Sequence, residues 1–184
     1  DRRLGAWHER AWHERFAAAV APGGAVLDLG CGAAVPVAAH LVACGLLVTG
    51  VDSSPTMIDL CRARLPAQEW IVADMRGLAL GRRFAGILAW DSFFHLAHAD
   101  QRAMFEVFSA HAAPGAVLMF NTGTDHGEAI GQYRGDSLYH ASLDAAEYGA
   151  LLASNGFAVE AHVIKAPNAG GRTVWLARRT LPPR

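Results

Sequence analysis

Chemistry in this sequence gathers just past its apolar runs. The segment AVLDLGCGAAVPVA, residues 25–38, leaves a strand-like run, turns through Gly30-Cys31-Gly32 and ends in small residues able to start a helix. About twenty residues later, TGVD ends on Asp52. Glycine brings backbone close to a ligand because no Cβ intervenes. A carboxylate at the end of the neighbouring strand can accept both hydroxyls of a ribose. Together they describe a nucleotide-binding turn. Counting G-x-G-x-x-G from Gly30, however, puts Val35 where the third glycine of a dinucleotide turn belongs, and Val35-Pro36 is a poor seat for a pyrophosphate.

An adenosine ligand without phosphate needs the turn and the acid but no such seat. S-adenosylmethionine is such a ligand, and Asp28 would add negative charge near its sulfonium and ammonium groups. A second chemical stretch is AWDSFFHLAH, residues 89–98. Phe93 and Phe94 could wall an apolar acceptor, and His95 could take a proton near neutral pH. A purely structural His95 at a strand–helix junction stays open. His98, three residues on, could pair with His95 as a metal ligand, but no third ligand is evident and no metal is expected. The third stretch, residues 121–144, holds Asn121, Asp125, His126, Glu128, Arg134, Tyr139 and His140. It reads as a polar, glycine-rich loop, long enough to act as a functional lid, with Tyr139 and His140 reaching the pocket.

The elements that position these groups alternate. Strands are expected at AVLDL, LLVTGVD, EWIVAD, FAGILAW and AVLMFNT, with helices at PVAAHLVACG, SPTMIDLCRARL and DQRAMFEVFSAHA between them. Gly45 fits a position just past a helix end, Pro55 a first helical turn and Pro66 a stop. Ahead of them, Leu4, Trp7 or His8, Ala11 or Trp12, and Phe16 give an apolar stripe near the helical period, ended by APGG, with His8 and His13 read as polar-face residues and not metal ligands. At the other end SLDAAEYGALLASNG reads as a helix capped by Ser142 or a neighbour. FAVEAHVIK and RTVWLARR, joined by APNAGG, then read as a hairpin with Trp175 in the core. Strands separated by helices require crossovers and a mostly parallel sheet. The expected fold is α/β: a Rossmann-like, doubly wound, seven-stranded, mainly parallel sheet with a C-terminal antiparallel hairpin.

Composition narrows the functional classes. Hydrophobic residues are 52% and charged residues 18%, as in a compact globular chain. The formal net charge is −1, the cations are nearly all arginine, and no basic run suggests a nucleic-acid partner. No apolar run approaches the ~20 residues of a membrane span, and no signal peptide is visible. Cys31, Cys44 and Cys61 form no CxxC pair, which suggests reduced thiols in a cytoplasmic setting, with Cys44 and Cys61 as small buried hydrophobes. One domain over residues 1–184 is expected.

The motifs resemble the class I S-adenosylmethionine-dependent methyltransferases of small-molecule type. LDLGCG looks like their glycine-rich loop, GVDSSPTMI like their ribose-binding segment and VADM like their adenine-edge segment. The likeness continues through FAGILAWDSFFHL and APGAVLMF to the hairpin. Ala34 stands where the family's loop often ends in glycine. The resemblance implies that Gly30, Cys31 and Gly32 face the methionine part of the cofactor and that Asp52 holds the ribose. It also implies that Ser53 and Met57 flank the adenosine, that Asp74 with Met75 meets the adenine edge, and that Trp90 and Asp91 lie near the methionine end. The family usually has more chain before the first helix, so the resemblance implies a truncated cofactor lid. Catalysis would fall to His95, and acceptor binding to Phe94, His95, Tyr139 and His140.

Plainer roles stay open: Asp28 as a backbone-bonding turn residue, Asp52 as a helix cap, Asp74 as a turn residue and Met57 as core. Two other classes fit parts of the pattern. An NAD(P)-dependent oxidoreductase would bind NADH with its phosphates by Val35. A non-catalytic adenosyl-binding module would keep the cofactor site with no usable acceptor pocket, since this architecture hosts many functions.

Overall fold

The computed structural model describes residues 7–133 and 135–180, so Leu4 and Arg134 fall outside the description. Helix α1 (Arg10–Ala19) leads into β1 (Ala25–Leu29), α2 (Val37–Ala43), β2 (Leu47–Asp52), α3 (Pro55–Arg64) and β3 (Glu69–Val72). After a longer connection come β4 (Phe84–Ala89), a 3-10 turn at Phe93–His95, α4 (His98–His111) and β5 (Ala112–Thr122). The rest is β6 (Gly127–Tyr133), β7 (Asp136–Ser142), α5 (Ala145–Ser154), β8 (Phe157–Val163) and β9 (Thr173–Arg179). The seven-stranded sheet runs β3-β2-β1-β4-β5-β9-β8, parallel from β3 to β5, with β9 antiparallel to both β5 and β8. The expected sheet and its hairpin are present.

Local chemistry sets the helix ends. Ser54 caps α3 by accepting from the Met57 amide, and Pro55 opens its first turn, where a missing N–H costs nothing. Asp144, not Ser142, caps α5 by accepting from the Glu147 amide at 2.8 Å.

Side-chain alternation along the strands divides the core between two faces. Val26, Val48, Leu88, Val117 and Leu176 pack with Trp12 and Phe16 of α1, Leu41 of α2 and Ile58 of α3. Leu27, Leu29, Ile87, Leu118 and Trp175 pack with Phe105 and Phe108 of α4 and Tyr148 of α5. Helices therefore cover both faces, and every interior strand is apolar on both sides.

Three expectations change. The polar stretch read as a loop is largely a two-stranded antiparallel hairpin, with Gly127 paired to Ser142 and Tyr133 to Asp136. Gly135 sits in its turn at φ +93°. His13 is not on a polar face: it is fully buried, its ring 4.7 Å from Trp90 and 5.1 Å from Trp7, its Nδ1 3.0 Å from the Glu9 carbonyl. Cys44, expected in the core, is exposed at the end of α2, whereas Cys61 is buried.

Candidate active site

Strand order reverses between β1 and β4, so the connections leaving them diverge and open a crevice at the strands' C-terminal ends. A cavity of about 1120 Å³ lies there. Its floor is the loop after β1, with Gly30, Cys31 and Gly32. Asp52 and Ser53 after β2, with Met57 on the first turn of α3, form one side. Asp74 and Met75 after β3 form the next, and Trp90, Asp91 and Ser92 after β4 close the far end. His95 and the hairpin residues Leu138 and Tyr139 complete the wall. Most of the expected site residues are thus brought to one surface.

Close contact shapes the floor. Gly30 has φ +77°, and a Cβ there would stand 2.2 Å from the Ser92 Cβ. Ser92 is itself fixed, donating to the Leu29 carbonyl at 2.7 Å. At Gly32 a Cβ would meet no protein atom within 4 Å. It would instead occupy cavity space that a ligand could use. Asp52 ties this loop to β2: one carboxylate oxygen accepts from the Gly32 amide and the other from the Ser54 amide, both at 2.9 Å. Each oxygen keeps lone-pair capacity toward the cavity.

The rim is charged. Arg76 grips Asp74 through several contacts, the shortest 2.6 Å, and reaches Asp100 at 3.0 Å. Hydrogen bonds from the Arg76 side chain and backbone hold the Asp74 carboxyl below the usual carboxylate range. Asp91 has φ +51°, a left-handed conformation that a non-glycine residue keeps only under constraint. Arg172 supplies two arms of that constraint, at 2.6 and 2.9 Å, and Asn121 both donates to and accepts from Asp91. Arg172 also pairs with the buried Glu9 at 3.0 Å. Arg76 and Asp100, which border the cavity, and Arg172, which holds the bordering Asp91, were not singled out by sequence.

Four expected residues do not line the cavity. Phe93 is fully buried in the core against Phe105, Phe108 and Phe120. Asp28 is 3% exposed, on the face of β1 that turns into the core. Phe94 and His140 sit behind the wall, rings 5.2 Å apart, with His140 4.8 Å from His95. Adjacent residues on a strand point opposite ways, so Tyr139 at the cavity puts His140 behind it. Burial, and then the neighbouring His95, push the His140 imidazole below its ordinary value. Cys31 is no nucleophile: burial, and then the Asp28 carboxylate, push its thiol far above the usual range. Away from the cavity, His126, Asp144 and Glu147 come within 4.8 Å of one another, but Asp144 is the α5 cap and Glu147 is held by Arg102 at 2.5 Å. Among the described residues no helix is long and apolar enough to cross a membrane.

Residues 26–115, from β1 into β5, match a family model described as a methyltransferase domain. No curated protein sequence matches the chain. Among solved structures, an amino pentose methyltransferase from Micromonospora echinaspora with S-adenosylmethionine bound is 24% identical, at a TM-score of 0.75 over 95% of this chain and 92% of that one. A sugar N-methyltransferase from a Streptoalloteichus species is 21% identical, at 0.77 over 97% and 90%. A Burkholderia thailandensis 1,6-didemethyltoxoflavin-N1-methyltransferase, with that acceptor and S-adenosylhomocysteine bound, is 19% identical, at 0.76 over 98% and 81%. At these identities the likeness establishes the fold. Residues 26–115 form a methyltransferase domain, and the chain around them has the class I, Rossmann-like fold of such enzymes.

Proposed function

We propose that this protein transfers a methyl group from S-adenosylmethionine to a small molecule, leaving S-adenosylhomocysteine, with residues 1–184 acting as one domain in a cytoplasmic setting. The observation that carries this reading is Asp52, which pins the glycine loop through the Gly32 amide and still faces the same cavity. Its free lone pairs suit a ribose diol. Gly32 leaves room for the amino-acid end of the cofactor, Ser53 and Met57 flank the adenosine, and Asp74 and Met75 border the adenine edge. Trp90 and Asp91 stand near the methionine end. When bound, the cofactor supplies an electrophilic methyl carbon on a sulfur leaving group.

The protein's task is then to align an acceptor lone pair with that carbon and exclude water. Leu138 and Tyr139 cover the acceptor end of the cavity, and His95 beside them would accept the proton that the acceptor loses. Phe94 and His140 pack behind His95 and would hold its ring. A nicotinamide dinucleotide fits less well. Its pyrophosphate would seek backbone N–H groups at the start of α2, where Pro36 has none to offer.

Isothermal titration with S-adenosylmethionine, S-adenosylhomocysteine and NADH tests the proposal. Both adenosyl ligands should bind. Asp52→Ala should weaken them by about 30-fold or more, the loss of about 2 kcal/mol or more from charge-assisted hydrogen bonds. Binding of NADH alone, or of neither adenosyl ligand, would overturn it.

A further inference from the structure

Among the described residues no strand pairs with the outer edge of β7; side chains take that place. The Tyr139 and Ala141 carbonyls, two residues apart on one edge, accept from His95 Nδ1 at 2.9 Å and from Gln101 Nε2 at 2.8 Å. At the base of the hairpin, His98 Nε2 lies 3.1 Å from both the Gly127 and the Ser142 carbonyls, which belong to one cross-strand pair. All three side chains come from one stretch of seven residues between the 3-10 turn and the first turn of α4.

Gln101 is the firmest of the three. It is wholly buried, and its amide nitrogen donates to the Leu96 carbonyl at 2.9 Å as well as to Ala141. Its Oε1 accepts from the Tyr148 hydroxyl at 2.5 Å, and that hydroxyl accepts from the Leu143 amide at 3.0 Å. The amide therefore fits in one orientation only and joins the turn before α4, the hairpin and α5. A carbonyl oxygen can only accept, so contact with Tyr139 puts the His95 proton on Nδ1. The neutral ring then has a bare Nε2, and His95 is part of the cavity wall.

We propose that the β6–β7 hairpin is a lid over the acceptor end of the cavity, that Gln101 is the positioning residue that seats it, and that the seated lid, through the Tyr139 carbonyl, fixes His95 with Nε2 free to take a proton. With the lid lifted, a solvated imidazole exchanges between both neutral tautomers, and the base is no longer set. The proposal rests on the methyl-transfer reading for what lies beneath the lid. The acceptor class that follows carries an O–H or N–H. That bond breaks, its proton goes to Nε2, and the electron pair stays on oxygen or nitrogen as the nucleophile.

The test uses histidine-labelled protein in long-range 1H–15N spectra, with His95→Asn to assign the signals, alongside amide hydrogen exchange. In the parent, His95 should show a protonated Nδ1 and a bare Nε2. In Gln101→Leu, that preference should collapse, and the hairpin amides should exchange roughly tenfold faster or more while β1, β4 and β5 keep their protection. S-adenosylhomocysteine, the probe, should bind within about threefold of the parent, because Gln101 does not border the cofactor loops. A hairpin that stays protected in Gln101→Leu overturns the seating role. A His95 that keeps its tautomer over an exposed hairpin overturns the coupling. If Gln101→Leu loses sheet protection, Tyr148→Phe, which removes only the hydroxyl that orients Gln101, should shift both readouts in the same direction, and no shift overturns the proposal. Failure of the parent to bind S-adenosylhomocysteine would instead strike the cofactor reading and leave these readouts standing.

Discussion

Gly30→Ala probes whether close contact builds the cavity floor. At φ +77° an alanine costs about 1–2 kcal/mol more than glycine. The new Cβ would lie 2.2 Å from the Ser92 Cβ and 2.8 Å from its Oγ, so Ser92 must move at its own backbone and not merely rotate. That movement breaks the buried bond from Ser92 to the Leu29 carbonyl, worth about 1–3 kcal/mol where a polar group is left unpaired. Alanine also stiffens the unfolded chain, which returns about 0.4–1 kcal/mol. The net loss should be about 1–4.5 kcal/mol, a fall of roughly 2–18 °C in Tm for a chain of this size. Urea unfolding measures it, and titration with S-adenosylhomocysteine shows whether the floor still holds its shape. The Ser92→Gly background separates the causes. With no Cβ at 92 the clash is gone, and Gly30→Ala should cost at least about 1 kcal/mol less than in the parent. Additive losses, or a Gly30→Ala protein within about 0.5 kcal/mol of the parent, would refute the contact argument.

Arg172→Ala takes a guanidinium from Asp91 and from the buried Glu9, and should cost about 2–4 kcal/mol in urea unfolding. Arg172→Lys should recover less than half, because an ammonium cannot span both carboxylates, and a loss under about 1 kcal/mol for alanine would refute the network. Hydrogen bonding from Arg82, aided by Thr49, holds the Glu69 carboxyl below its ordinary range. A depressed carboxylate adds stability that is fully present above its ordinary value and lost as pH falls through the lowered one. Arg82→Ala should therefore be less stable than the parent at neutral pH by under about 1 kcal/mol, the pair being half exposed, and the two should converge in acid. A gap that widens toward low pH would contradict the assignment.

What could be read from sequence was local. The strand-turn-helix around Gly30 and the acid at Asp52 needed only nearby residues, and both meet in the cavity. The hairpin escaped because Gly127 and Gly131 interrupt its alternation and its exposed positions mix polar Glu128, Gln132 and Ser137 with apolar Ala129 and Ile130. Its readable signal was the two-residue gap ending in Gly135 between Tyr133 and Asp136. Had that been taken as a strand pair, period two would have separated Tyr139 from His140. Asp28 misled for a different reason. In a strand covered on both faces, alternation does not tell a cavity from a core. Arg172, 81 residues from Asp91, and Gln101, 40 from Ala141, have partners that no window of sequence contains.

The placement of β9 bears on how the chain is made. It is the last strand, yet it lies inside the sheet, with β5 on one side and β8 on the other. During synthesis β8 leaves the ribosome before β9, the strand it pairs with in the sheet. The growing chain thus holds an open β5 margin, lined by Met119 and Phe120, until residues 173–179 emerge. That margin is where a nascent chain would recruit a chaperone or pair wrongly with another copy. The ion pairs from Arg172 to Asp91 and Glu9 can form only once this last stretch has emerged, so the far end of the cavity is completed after the strands that hold its floor.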